Sequence, residues 1–214
     1  MGKLQGKVAL VTGSGRNIGR ATVLHLARAG AHVIVNARSN HAEADAVVRE
    51  AQALGVRAIS IIADMAKKDE VEAMAAKALS EFGRVDILIN NAAIRPHMPF
   101  RELTDEDWEH VRNVVLDGAL YLTRALIGPM VENKYGNILF FVGDGAYSGR
   151  GDLVDLPLPP ERDAGSVRRT VAIPFGIVAP GVDAARRDDI YPDVVRREFR
   201  GEPARQTDQR HLGC

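Results

Sequence analysis

Short apolar runs alternate with amphipathic stretches over the first two-thirds of this chain. Residues 7–11, 31–36, 56–62, 85–90 and 136–142 are brief and mostly apolar, and they read as strands. Most are near-continuously apolar instead of alternating, the pattern of strands buried on both faces. Between them lie helical patterns. Residues 18–29 carry Ile18, Val23, Leu24 and Leu26 and stop at Gly30. Residues 41–54 form a polar-faced helix ended by Gly55, and residues 67–82 a helix ended by Gly83. Residues 104–132 read as one long helix, kinked or broken near Pro129. Thr104 and Asp107 resemble a capping pair, although the position of Asp107 usually holds Glu or Gln.

Alternation of strand and helix implies right-handed crossovers and a parallel sheet covered on both faces. The expected fold class is α/β: a doubly wound, mainly parallel sheet of Rossmann type. It is read as a single domain over residues 1–214, well patterned over 1–150 and atypical over 151–214. That irregular C-terminal third holds Pro157, Pro159 and Pro160, and the tail from Ala184 is rich in Arg and Asp. A sixth strand over residues 170–178 is weakened by Pro174 and Gly176.

Composition narrows the partners. The 214 residues are 46% hydrophobic and 26% charged with zero formal net charge, an ordinary balance for a globular domain. No basic excess points to nucleic acid, and no run is long enough to suggest a membrane span. The segment before the first strand lacks a secretory apolar region. The one cysteine, Cys214, excludes an internal disulfide and fits a cytoplasmic setting. The histidines are scattered without metal-ligand spacing, so no metal is expected.

Ligands of such sheets bind at the carboxyl ends of the strands. The polar residues there are 12–16, Asn36 to Arg38, Asp64, Asn90, Asn91, Gly143 and Asp144. The most telling segment is Thr12-Gly13-Ser14-Gly15-Arg16-Asn17-Ile18-Gly19, directly behind the first strand. A strand, a glycine-rich turn and a helix N-terminus make a phosphate cradle, which points to a dinucleotide. An acid closing the second strand would favour NAD, whereas arginine serves a 2′-phosphate. The strand closes on Asn36-Ala37-Arg38, and Arg16 lies in the loop, so the charges favour NADP over NAD.

These residues resemble the short-chain dehydrogenase/reductase family over about residues 6–150, with a weak recurrence at 179–187. Gly13, Asn17, Ile18 and Gly19 resemble its TGxxxGxG loop, with Asn17 at the middle glycine; Asn tolerates positive φ better than most residues. Asp64-Met65 resembles its adenine-contacting pair, and Asn90-Asn91-Ala92-Ala93 its NNAG motif with the glycine replaced. Asp107-Trp108, Leu116-Asp117-Gly118 and Ala179-Pro180-Gly181 resemble further landmarks. The resemblance implies cofactor contacts at Gly13, Ser14, Arg16, Asn17, Ile18, Gly19, Arg38, Asp64, Met65, Asn90, Asn91 and Ala92. It also implies an NAD(P)-dependent oxidoreductase that moves hydride between nicotinamide and a carbonyl or alcohol substrate.

The family's chemistry uses a tyrosine, a lysine four residues later, a serine past the fifth strand and an asparagine in the fourth helix. Here Gly143 stands at the serine and Val115 at the asparagine, with Asn113 on a different face. No Tyr-x-x-x-Lys exists, and no lysine follows Lys134. Asp144 and Tyr147, just past the fifth strand, and His97, after the fourth, are the residues placed to replace them, although loop residues of these types are more often simply solvent-facing. The catalytic residues therefore stay unassigned. Beside the oxidoreductase stands a second reading: a non-catalytic NADP-binding protein, or an inactive variant with a disrupted catalytic segment. A frame disruption repaired before Ile177 would account for the loss of lysine and the gain of proline. A homo-oligomer stays open, because the helix the family uses for pairing is replaced by proline-rich sequence.

Overall fold

The computed structural model describes residues 2–96, 98 and 100–141, with Phe100 by its backbone only. They lie in a compact unit, 1–180, while the unit 181–214 is outside the described residues. The candidate positions His97, Gly143, Asp144 and Tyr147, the sixth strand and the Pro180 turn also lie outside them.

Five parallel strands are ordered β3-β2-β1-β4-β5, namely β1 Val8–Val11, β2 His32–Ala37, β3 Ala58–Ile62, β4 Ile87–Asn90 and β5 Asn137–Phe140. The helices are α1 Asn17–Arg28, α2 His41–Ala53, α3 Lys68–Phe82, α4 Asp105–Arg112 and α5 Gly118–Glu132. This is the doubly wound Rossmann-type sheet expected from the pattern. Strand periodicity sorts the core into two layers. Ala9, Val11, Val33, Val35, Ile87 and Ile89 face Val23, Leu26 and Val47 of α1 and α2. Val8, Leu10, Ile34 and Leu88 face Met74 of α3 and Leu122, Leu126 and Met130 of α5.

At the amino end of β4 the buried carboxylate of Asp86 pairs with Arg84 and Lys7 and accepts the Val8 N–H at 2.9 Å. Every charge there has a partner, as burial demands. Away from the ligand end, this network ties β1 to β4.

The long helix differs from expectation. It does not break at Pro129, which lies inside α5. It widens instead at Asn113–Asp117, a π-helical stretch between α4 and α5. Wider turns stack residues five apart, and Arg112 Nε accordingly reaches Asp117 Oδ2 at 3.1 Å. The Thr104–Asp107 capping box does form: Thr104 Oγ1 accepts the Asp107 N–H at 3.1 Å, and Asp107 Oδ2 accepts the Thr104 N–H at 3.3 Å. The run Asp105–Glu132 is long and apolar enough to cross a bilayer by length and composition. In this fold Leu122, Leu126 and Met130 bury its inner side against the sheet.

Candidate functional site

The sheet order reverses between β1 and β4, and a cleft of about 520 Å³ opens there at the carboxyl ends of the strands. Its wall gathers Gly13, Gly15, Arg16, Asn17, Ile18 and Gly19 from the glycine loop, Arg38 from the end of β2, Asp64 and Met65 after β3, and Asn91 and Ala92 after β4. Ten of the twelve residues named from the sequence thus share one surface. The other two lie beneath it. Ser14 is fully buried, and its hydroxyl donates to the Val11 carbonyl at 2.7 Å. Asn90 is also buried, with neither side-chain amide atom hydrogen-bonded among the described residues.

The loop has the geometry its sequence demands. Gly13 sits at φ 59 and Asn17 at φ 49, so asparagine occupies the left-handed region at the substituted glycine. Gly19 is packed with no room for a side chain. A β-carbon there would stand 2.6 Å from the Gly13 carbonyl oxygen and 2.7 Å from Asn91 Nδ2. Arg16 enters α1 in extended conformation, and no side chain among the described residues caps the helix. Its first-turn N–H groups are left to a ligand or to water, on a wall that also bears Arg16.

Two side chains hold this loop from behind. Thr12 Oγ1 accepts the N–H groups of Asn91 and Ala92 at 3.0 and 2.9 Å. Asn91 Nδ2 returns bonds to the carbonyls of Thr12 and Gly13 at 2.8 and 3.1 Å. On the other side Asn36 Oδ1 accepts the Gly13 N–H at 3.1 Å, while its Nδ2 donates to Ile61 and Ala63 carbonyls at 3.2 and 3.1 Å. Asn36 therefore turns inward as a strut between the loop and β3.

Behind Asp64, Glu70 accepts the Asp64 N–H at 2.7 Å and pairs with Lys67 at 2.7 Å. The hydrogen bond from Lys67, then the one from the Asp64 backbone, hold the Glu70 carboxyl below its ordinary range. The same hydrogen bond and the Glu70 charge raise Lys67 above its ordinary value.

Glu43, Asn40, Ile94 and Val114 also line the cleft but were not singled out by sequence. Asn40 and Glu43 read there as an ordinary helix start, and Asn40 does cap α2. Val114 reaches the wall from the widened turn, which has no local sequence signature. Val115, at the family's asparagine position, is partly buried against the apolar layer under α5.

A doubly wound sheet with a glycine-loop cleft at its switch point defines a Rossmann-type domain. The short chain dehydrogenase family model matches residues 7–148, and the chain belongs to that family. It is 37% identical over 148 residues to the (2S)-[(R)-hydroxy(phenyl)methyl]succinyl-CoA dehydrogenase subunit BbsD of Thauera aromatica, covering 69% of this chain and 59% of that relative. The chain thus spans about three-fifths of that relative's length. A metagenomic short-chain oxidoreductase solved with NADP superposes with a TM-score of 0.63 at 34% identity, over 65% of this chain and 63% of the other. An NAD+-bound xylitol dehydrogenase superposes at 0.66 and 28% identity, over 70% and 58%.

Proposed function

We propose that this chain holds NADP(H) in the cleft and belongs to an oxidoreductase acting on a carbonyl or alcohol substrate. The observation that carries the reading is the fit of the glycine loop: bare backbone at Gly13 and Gly19 beside an uncapped helix N-terminus, flanked by Arg16 and Arg38. In this reading the loop from Gly13 to Gly19 holds the pyrophosphate, with Ile18 covering it from its exposed position. Arg16 and Arg38 hold a 2′-phosphate, Asp64 and Met65 border the adenine, and Asn91 and Ala92 flank the ribose side. Ser14 and Asn90 support the loop and strand from within. The nicotinamide, when bound, supplies or accepts the hydride. A cytoplasmic location and a single domain complete the reading.

A second reading keeps the binding and drops the turnover. It is favoured by Val115 in the widened turn, by Gly143 at the serine position, and by the absence of lysine after Lys134. Calorimetric titration with NADPH and NADH, followed by nicotinamide absorbance with a carbonyl and alcohol panel, separates the two. Binding with turnover supports the oxidoreductase. Binding without turnover across the panel supports the second reading. No binding by the folded protein removes both.

A further inference from the structure

One carboxylate on the cleft wall is not explained by the glycine motif. Glu43 stands in the first turn of α2, where its backbone N–H donates to Asn40 Oδ1 at 3.2 Å. Its carboxylate makes no hydrogen bond or ion pair with any described residue, Arg16 and Arg38 on the same wall included. A Glu at this helix position ordinarily bonds back to the cap backbone. Here it is left free on a cleft.

Its place is well defined. A β-carbon built on Gly15 would meet the β-carbon of Glu43 at 3.4 Å and that of Ala37 at 3.7 Å. The stem of Glu43 therefore rises where the glycine loop meets the end of β2. In dinucleotide sites of this kind, an acid at that corner accepts hydrogen bonds from the ribose hydroxyls. The strand end itself offers no acid: Asn36 is turned inward, Ala37 is apolar and Arg38 is cationic.

We propose that Glu43 reads the adenosine ribose, supplying from α2 the carboxylate that β2 lacks, and that it opposes the pull of Arg16 and Arg38 on a 2′-phosphate. This rests on the dinucleotide reading above. A carboxylate only accepts hydrogen bonds, so a ribose 2′-hydroxyl suits it and a 2′-phosphate repels it. The two arginines act in the opposite sense. The wall thus carries both signs of charge, and cofactor preference is their difference.

The test is calorimetry of the full chain and its Glu43→Gln variant with NADPH, NADH, adenosine 2′,5′-bisphosphate and AMP. Gln suits the same capping position, so α2 is retained. Removing the charge is expected to raise the NADPH-to-NADH affinity ratio by about fivefold, as for a partly screened charge pair. The bisphosphate-to-AMP ratio should rise in parallel, and Glu109→Gln, on exposed α4, should change neither. An unchanged ratio in a Glu43→Gln protein that still binds both cofactors overturns the inference and leaves the dinucleotide reading standing. Binding of no cofactor by the folded parent chain overturns both.

Discussion

Gly118 lays its bare α-carbon against the carbonyl oxygen of Met65, leaving no space for a β-carbon between helix and loop. The first turn of α5 is thereby pressed onto the segment that follows β3, whose Asp64 and Met65 border the cleft. Gly118→Ala should destabilise the protein by about 1–3 kcal/mol, the usual range for overpacking. Gly128, in the same helix, meets no described atom within 4 Å of an added β-carbon, its chain neighbours aside. The Pro129 ring that follows crowds such a β-carbon in a helical turn and offsets the helix propensity of alanine, so Gly128→Ala should be close to neutral. The denaturant midpoint should fall for Gly118→Ala and hold for Gly128→Ala.

Asn36 should not tolerate the acid that commonly ends this strand in NAD-binding domains. A carboxylate could still accept the Gly13 N–H, but it would face the Ile61 and Ala63 carbonyls with no proton to give. Asn36→Asp is expected to cost about 1–3 kcal/mol and to leave cofactor preference unchanged. Equilibrium unfolding reads the first effect and calorimetry the second.

Asn17 occupies positive φ at the substituted glycine. Asn17→Gly should bind cofactor as the parent does, because glycine adopts that conformation freely. Asn17→Val should lose about 1–2 kcal/mol of stability through backbone strain, and cofactor affinity with it. Equal behaviour of the two variants would contradict a left-handed residue at this point.

The Lys67–Glu70 pair sets a pH window. Glu70 has a folded-state value below its unfolded one, so its stabilisation is present above the unfolded carboxylate range and is lost as pH falls through the lowered value. Lys67 has a raised folded value, so its share is complete below the unfolded lysine range and is lost as pH rises through the raised one. The melting difference between the parent and Glu70→Gln should be largest near neutral pH and shrink at both extremes. Added salt should reduce it, because both side chains are partly exposed.

Much of the fold was legible in the sequence because each strand is an apolar run with a glycine or helix cap at its border. Predicted and observed ends differ by only a few residues: β3 starts at Ala58 instead of Val56, and β5 ends at Phe140 instead of Val142. The cleft was legible where a motif names its residues, as from Gly13 to Gly19. It was not legible where a side chain works through long-range geometry. Asn36 looks like any polar strand end until Ile61 and Ala63 are placed opposite it, and Glu43 looks like a helix start until Gly15 is brought beside it. Pro129 was a misleading signal. Proline opposes helix by removing one N–H and crowding the preceding turn, yet α5 runs through it and the helix deforms sixteen to twelve residues earlier, at Asn113–Asp117.

The widened turn at Asn113–Asp117 also fixes how two helical faces are phased. Each residue of an ordinary helix advances the side chains by about 100°. The extra residue of the wide turn lets Val114 reach the cleft while Leu122, Leu126 and Met130 still face the sheet. Winding the same residues as regular turns would rotate α4 against α5 by about one residue's advance. One face or the other would then leave its contact, so the wide turn is what reconciles the chain length of this stretch with both contacts.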